Sequence, residues 1–452
     1  MKIDLAIILL YLFVTLLIAI VYQRREKGPR SYFVVQKKYS LLTLTATFFA
    51  TVVGAASTFY VAEEYYKAGT KFFFVLSGTY ITSILIALFV VPKMSKWLGK
   101  LTPGEIIADI YSSKLRRVCG LTAAIVSIGF VAVQIHAFGY VIAFFYNIPK
   151  HYSIILGGMF TIFYTSYGGI NSVIRTDVFQ FCMIVVTVII MSTISFNELS
   201  DGNSLYNELN LLKTGLDFNK RDLILWLNFS LLCFNPSIIQ RILIGRNIRQ
   251  SQHARLLSLA LWIMFSTLIG FCGIAAYLMF PEINPEMTIP TLIHKVIPAG
   301  LKGIVVTGFL ASIMSTADSE LNIAGVSIYK DIFQYEIHKK GLFTMRKISF
   351  ALGTLAILIS LSFNSMVEIL FFVMNFWSIT FMFPLIFGII GLKISYKSVM
   401  YSISFAIIIS IIWESFLRGD SLVSSALVGG FANILAFFMF YLLQKANNKK
   451  II

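Results

Sequence analysis

Charged residues are scarce in this sequence, at 13% of 452 residues, about half of the roughly 25% found in soluble domains. So little charge cannot cover a water-soluble globule, and we expect the solvent to be lipid. Cysteine is rare too: the four cysteines form no CxxC pair, which disfavours a zinc site or a disulfide framework. HExxH, GxSxG and phosphate-loop motifs are all absent, so we expect a protein that is not an enzyme and has no catalytic residue.

Long apolar runs fill the chain instead. A membrane-spanning helix needs about 20 mainly apolar residues, and the runs predict an all-α membrane protein of about thirteen transmembrane helices. No long polar stretch interrupts them, so we expect a single membrane domain over residues 1–452. The predicted spans are 4–22, 41–65, 72–92, 118–146, 151–168, 172–197, 221–245, 256–280, 299–328, 346–363, 366–391, 398–416 and 421–444.

The net charge of +16 reflects orientation in the membrane. About three quarters of the 37 lysines and arginines fall on one side when the spans alternate, Arg241 and Arg255 among them, and positive loops face the cytoplasm. We therefore expect an external N-terminus and a cytoplasmic C-terminus. Because the charge lies in short loops between spans, we expect no nucleic-acid partner.

Two spans are interrupted by residues that disfavour helix. Gly54-Ala55-Ala56-Ser57 lies within the second span and Asn235-Pro236-Ser237 within the seventh. Broken membrane helices free backbone carbonyls that can coordinate cations near the midplane. The breaks lie five spans apart, which fits two five-helix halves. Each break could also be a simple kink.

The ninth span carries Ser312, Ser315, Thr316 and Ser319 on one helical face, with Asp318 beside it. Such a stripe suits a hard cation, although small hydroxyl residues also serve as packing glue between membrane helices. Asp318 favours function, because an intramembrane carboxylate is costly. Asp177 in the sixth span is a second such residue, although it could also be a capped, water-exposed residue near the start of that helix. Repulsion between the two carboxylates is relieved by Na⁺ or by a proton, so the residues allow either coupling ion.

Other intramembrane polar residues are candidates for binding a solute. For His136, a hydrogen-bonded core histidine is an equally good interpretation. The candidates are Ser57, Thr58, Gln134, His136, Asn235, Ser237, Asn375 and Ser378.

Four segments resemble the sodium/solute symporter family: FATVVGAASTFYVAEEYYKAG (49–69), YGGINSVIRTDVFQ (167–180), FNPSIIQRILIGRN (234–247) and GFLASIMSTADSELN (308–322). The resemblance implies a LeuT-like fold with two inverted five-helix repeats, 41–197 and 221–391. One extra helix, 4–22, precedes the repeats and two, within 398–444, follow them. The repeats rock to expose a central site alternately to each side.

The resemblance also implies a sodium site between the second and ninth spans. Its ligands are the carbonyls of Ala50, Val53 and Ser312 and the hydroxyls of Ser315 and Thr316. Some members of the family hold a further sodium ion deeper inside, and the matching residues here are Asp177, Ser315, Asp318 and Ser319. The resemblance therefore implies that one or two Na⁺ ions are co-transported.

We therefore expect a sodium-coupled symporter that imports a small polar organic solute through a bacterial cytoplasmic membrane. The first break, at residues 52–57, has fewer polar residues than sugar-carrying relatives have there, so a galactose-like solute is less favoured. A proton-coupled carrier of the same fold, and a sensor or channel that does not perform coupled transport, remain alternatives. The partners are the solute and the lipid bilayer, and the oligomeric state is not predicted.

Overall fold

The computed structural model describes residues 2–25, 39–146, 148–200, 219–231, 233–336, 341–419 and 423–449. Every regular element in these ranges is helical, and we name seventeen helices α1 to α17. Their bounds are α1 Lys2–Arg25, α2 Leu41–Val52, α3 Ala56–Ala68, α4 Lys71–Trp97, α5 Pro103–Ile110, α6 Ser113–Tyr146, α7 Lys150–Tyr167, α8 Ile170–Ser200, α9 Lys220–Ser230, α10 Pro236–Leu243, α11 Ile248–Met279, α12 Thr288–Lys295, α13 Leu301–Ile332, α14 Gly341–Ser362, α15 Met366–Ile390, α16 Tyr396–Leu417 and α17 Ser425–Lys449.

Each of the thirteen predicted runs contains helix in the structure. Ten of the described helices are long and apolar enough to cross a membrane, or eleven if the bent pair α2 and α3 is one span. Helix α7 and the pair α9 and α10 are not among these ten. The count of thirteen therefore stays a prediction. Helix α5, in the loop after α4, was not predicted, and most of the loop 198–222 lies outside the described residues.

Large apolar side chains cover the outside of the helix bundle. Phe416 is 80% exposed and Leu435 is 69% exposed. Water would disfavour so many exposed apolar groups, whereas lipid tails solvate them. The polar side chains point inward instead, where helices approach closely at small residues. At Gly308, for example, a Cβ atom would stand 1.9 Å from Thr187 Oγ1.

Helix α13 lies at the centre of the bundle. Its side chains are buried from Val305 to Ser327, and it packs against α6, α8 and α2. The short helix α10 contacts α2, α11 and α13. The two interrupted spans and the hydroxyl-bearing helix therefore meet in one place.

Candidate functional site

The bend between α2 and α3 is a break in the backbone ladder. The two helix axes differ by 73° across residues 53–55. In a continuous helix the Gly54 amide would donate to the Ala50 carbonyl. Here the Gly54 amide donates to the Val52 carbonyl at 3.1 Å. The Ala50 carbonyl is left available to groups from outside its own helix.

Gln134 of α6 caps the break. Its Oε1 accepts a hydrogen bond of 2.8 Å from the amide of Ala55, which a continuous helix would bond to the Thr51 carbonyl. The packing is close: a Cβ atom on Gly54 would lie 2.6 Å from Thr316 Oγ1 and 2.8 Å from Gln134 Oε1. Glycine is therefore required for α6 and α13 to approach the break.

Hydroxyls of α13 meet the freed carbonyls. Ser315 Oγ donates to the carbonyl of Ala50 at 2.9 Å and to that of Ser312 at 3.0 Å. Thr316 Oγ1 lies 3.3 Å from the Ala50 carbonyl and 3.4 Å from the Thr51 carbonyl. We call Ala50, Thr51, Ser312, Ser315 and Thr316 the oxygen site. Its polar atoms are neutral hydroxyl and carbonyl oxygens, the type of group that coordinates a small alkali cation at a broken membrane helix.

Val53, the remaining predicted carbonyl ligand, is fully buried next to the oxygen site. It forms the C-cap of α2, and its amide still donates to the Phe49 carbonyl at 2.9 Å. The backbone thus leaves the helix at Val53.

A second cluster lies one turn further along α13 and contains a buried guanidinium. Arg241 of α10 donates through Nη2 to Ser319 Oγ at 2.5 Å and lies 3.5 Å from Asp177 Oδ2. Thr47 donates to the same carboxylate oxygen, and Thr51 Oγ1 lies 3.1 Å from Ser319 Oγ. We call Thr47, Asp177, Arg241 and Ser319 the guanidinium cluster. The sequence counts Arg241 among the positive charges of the inner side, but the structure buries it fully inside the bundle, where it pairs with Asp177.

The residues predicted for a deeper second ion divide among different partners. Asp177 and Ser319 belong to the guanidinium cluster, whereas Ser315 belongs to the oxygen site. Asp318 is buried and accepts a hydrogen bond from Thr165 of α7. A second ion at this position stays a prediction.

The second predicted break separates α9 from α10. The Asn235 side chain accepts a hydrogen bond of 2.9 Å from the amide of Ile238, and Pro236 occupies the first turn of α10. Trp377 Nε1 donates to the Phe234 carbonyl at 2.6 Å. This break is therefore stabilised by a helix cap and an indole.

A cavity of about 100 Å³ lies between the two breaks. We call it the central cavity. Of the eight predicted solute-binding residues, Ser57, Gln134 and Asn235 line it. Its wall also includes four aromatic side chains and four further polar ones, namely Tyr60, Phe130, Phe229, Trp262, Thr79, Thr316, Arg255 and Glu320.

Two predicted solute-binding residues next to the breaks do not line the central cavity. Thr58 Oγ1 donates to the carbonyls of Gly54 and Ala55 within its own segment. Ser237 Oγ donates to Glu320 Oε1 at 2.6 Å. Both hydroxyls are thus engaged with protein acceptors.

His136 lines a different cavity, of about 30 Å³, together with Glu63 and Lys150. Its Nδ1 lies 3.1 Å from the Ser360 carbonyl, which agrees with the interpretation as a hydrogen-bonded core histidine. Ser378 is buried in α15 and does not line the central cavity. The side chain of Asn375 lies outside the described residues.

Arg255 and Glu320 line the central cavity but were not predicted. Arg255 was assigned to an inner loop, and the structure corrects this: it is 2% exposed, in α11. Glu320 follows Thr316 by one helical turn, so the face that carries the hydroxyls also carries a carboxylate. That spacing was the available signal.

A larger cavity of about 800 Å³ adjoins the central one, and Tyr60 lines both. Its wall includes Glu64, Arg221 and Glu368. The Tyr60 ring stacks on that of Phe229, with centroids 6.2 Å apart and planes 3° from parallel. Tyr60 therefore lies at the boundary of the two spaces, with its ring held against Phe229.

Residues 32–403 match the sodium:solute symporter family. The chain belongs to this family. The resemblance seen in the sequence is thus confirmed, and with it a membrane transporter that couples to sodium, with sodium and a small-molecule solute as its cargo.

Relatives in this family carry different solutes. The chain is 23% identical to a sodium/sialic acid symporter of Aliivibrio fischeri over 72% of this chain and 68% of that protein. It is 21% identical to the human sodium/iodide cotransporter over 68% and 52%, respectively. A sodium/proline symporter of Staphylococcus aureus is 26% identical over 52% and 49%. The chain thus matches about half the length of the last two proteins.

Solved structures share the fold. A substrate-bound, outward-open Na⁺-coupled sialic acid symporter superposes with a TM-score of 0.80 at 17% identity and covers 98% of both chains. The nucleobase-cation symporter Mhp1 gives 0.61 at 12% identity, with 90% of this chain and 93% of that one covered. MhsT, bound to L-phenylalanine, gives 0.56 at 13% identity, with 89% and 98% covered. The predicted LeuT-like fold is confirmed.

Proposed function

We propose that the protein imports a small polar organic solute together with Na⁺ bound at the oxygen site. The observation that carries the proposal is the meeting of the freed Ala50 carbonyl with the hydroxyls of Ser315 and Thr316. These groups hydrogen-bond one another without an ion. When Na⁺ arrives, the hydroxyl protons rotate away and the same oxygens turn their lone pairs to the cation.

Binding of Na⁺ in this way ties α2 to α13 and fixes the break in one geometry. Since Gly54 and Gln134 touch both the break and the central cavity, the ion shapes the solute site. We propose that the ion-bound state is open to the outside and that solute binding closes the Tyr60–Phe229 pair. Loss of the ion to the cytoplasm then loosens the break and releases the solute.

The proposed orientation in the membrane rests on the distribution of positive charge between the two sides. The residues 41–197 and 221–391 form two inverted halves that rock against each other, with 4–22 before them and 398–444 after them. The N-terminus faces outward and the C-terminus faces the cytoplasm of a bacterial cell, and Tyr60 closes the outer route.

Direct ²²Na⁺ binding to the purified protein tests the site. The double change Ser315→Ala and Thr316→Ala should abolish binding, because it removes both hydroxyl ligands. Ser312→Ala is the matched control: its hydroxyl donates to the Phe309 carbonyl at 2.8 Å, and only its backbone carbonyl reaches the site. Binding that survives the double change would refute this site.

Uptake into proteoliposomes separates the alternatives. A sodium gradient should drive solute accumulation at constant pH. Accumulation driven by a pH gradient without sodium would identify a proton-coupled carrier. Sodium binding without any accumulation would identify a sensor, and flux far above carrier rates would identify a channel.

A further inference from the structure

The central cavity is lined by two opposite charges. Arg255 of α11 is 2% exposed and Glu320 of α13 is 1% exposed, yet both belong to its wall. They do not form an ion pair with each other. A buried charge without an opposite charge costs several kcal/mol, so each of them needs a partner.

Arg255 has no carboxylate within ion-pair distance among the described residues. Its one hydrogen bond to a protein side chain there goes from Nη2 to Ser83 Oγ at 3.2 Å. A guanidinium carries five N–H donors in a planar fork. The fork matches the two oxygens of a carboxylate.

Glu320 is satisfied on one side only. Its Oε1 accepts from Ser237 at 2.6 Å, whereas Oε2 has no donor at hydrogen-bond distance among the described residues, and the buried Ser127 hydroxyl is another polar group near the carboxylate. No lysine or arginine of the described chain lies within ion-pair distance of this carboxylate. An N–H donor or a cation in the cavity would complete it.

Some buried carboxylates away from the central cavity have cationic partners within the protein. Two buried carboxylates elsewhere have ion-pair partners, since Glu63 pairs with Lys67 and Asp331 with Arg116.

Around the breaks, three carboxylates stand against two guanidiniums. Only one carboxylate and one guanidinium among them, Asp177 and Arg241, form an ion pair, at 3.5 Å. The five groups are Asp177, Asp318, Glu320, Arg241 and Arg255.

We propose that Arg255 and Glu320 form the two polar ends of the solute site and that the solute is a small amphoteric molecule. Its carboxylate binds the Arg255 fork, its ammonium group binds Glu320 Oε2, and its apolar body packs against Tyr60 and Trp262. This assignment rests on the proposed function, because it places the solute next to the oxygen site.

Thermal unfolding of the detergent-purified protein in NaCl or KCl tests the solute class. The probes are the twenty standard amino acids, galactose and sialic acid. At least one amino acid should raise the unfolding temperature in NaCl only, and galactose should not. The proposal is wrong if no amino acid stabilises the protein, or if galactose or sialic acid does so instead.

The best-binding amino acid then tests the two ends separately. Arg255→Gln should weaken its binding at least about tenfold, equivalent to about 1.4 kcal/mol, but should not change the binding of its carboxamide. Glu320→Gln should weaken the amino acid and leave its N-acetyl derivative unchanged. Such cycles isolate one pair of groups at a time.

The controls are Arg249→Gln and Glu282→Gln, which make the same chemical changes at exposed positions. Equal losses for the amino acid and its derivative in both cavity variants would overturn the assignment of the ends. If ²²Na⁺ binds to the wild-type protein but no amino acid stabilises it, only the solute assignment is refuted. If ²²Na⁺ never binds, the proposed function itself fails.

Discussion

The oxygen site and the guanidinium cluster lie one turn apart along the same pair of helices, yet they balance charge in opposite ways. The oxygen site presents neutral carbonyls and hydroxyls. The guanidinium cluster contains the carboxylate of Asp177 and holds its own cation, Arg241, at 3.5 Å. A site of neutral oxygens can lose an ion and re-form hydrogen bonds, whereas a buried carboxylate that is ionised needs its counter-charge continuously. This difference supports the proposal that the exchangeable ion binds at the oxygen site.

The largest effect on stability is expected when Arg241, the cation of the guanidinium cluster, is replaced. Arg241→Gln leaves Asp177 buried and uncompensated, and breaking a buried pair costs about 3–5 kcal/mol. The unfolding temperature in detergent should fall strongly, while Arg249→Gln at an exposed position should leave it unchanged. Adding Asp177→Asn to Arg241→Gln should restore part of the loss. If Arg241→Gln alone left the unfolding temperature unchanged, Asp177 would not need Arg241 as its counter-charge.

The next effect concerns the close approach at the first break. Gly54→Ala places a Cβ atom 2.6 Å from Thr316 Oγ1, so α13 must move away from the carbonyls. Sodium affinity should fall by at least about tenfold in ²²Na⁺ titrations. Gly430→Ala is the control, because its Cβ would meet only the Phe383 ring, at 3.1 Å. Normal sodium affinity in Gly54→Ala would show that the break tolerates a wider spacing.

The number of bound sodium ions also distinguishes the oxygen site from the guanidinium cluster. Because Arg241 already neutralises Asp177, we expect one Na⁺ ion per chain and a Hill coefficient near one. Saturation binding of ²²Na⁺ to a known amount of protein measures this. Two ions per chain would support the further ion predicted at Asp177, Ser315, Asp318 and Ser319.

The smallest effect is expected at Thr58. Its hydroxyl bonds only to backbone carbonyls of its own segment, so Thr58→Val should change sodium and solute affinities by no more than about twofold. The neighbouring Ser57 lines the central cavity, and Ser57→Ala should weaken solute binding more. The reverse order in binding assays would show that α3 rotates on loading.

Much of the fold could be predicted from local signals. Gly54 and Pro236 mark the breaks because each disfavours continuous helix. The spacing of Ser312, Ser315 and Thr316 places them on one face through helical periodicity alone. The roles of Gln134 and Ser237 could not be predicted from local signals. Both are polar residues within apolar runs, but Gln134 caps a break and Ser237 donates to Glu320.

Local sequence features were enough to predict a membrane protein, two broken helices and a stripe of hydroxyls along a third helix. Each property depends on composition or on neighbours within a turn or two. The position of Arg241 and Arg255 inside the bundle was apparent only from the packing of the helices. A basic residue near the end of an apolar run has the same local pattern whether it faces water or a buried carboxylate. Its fate depends on groups contributed by helices distant in the chain.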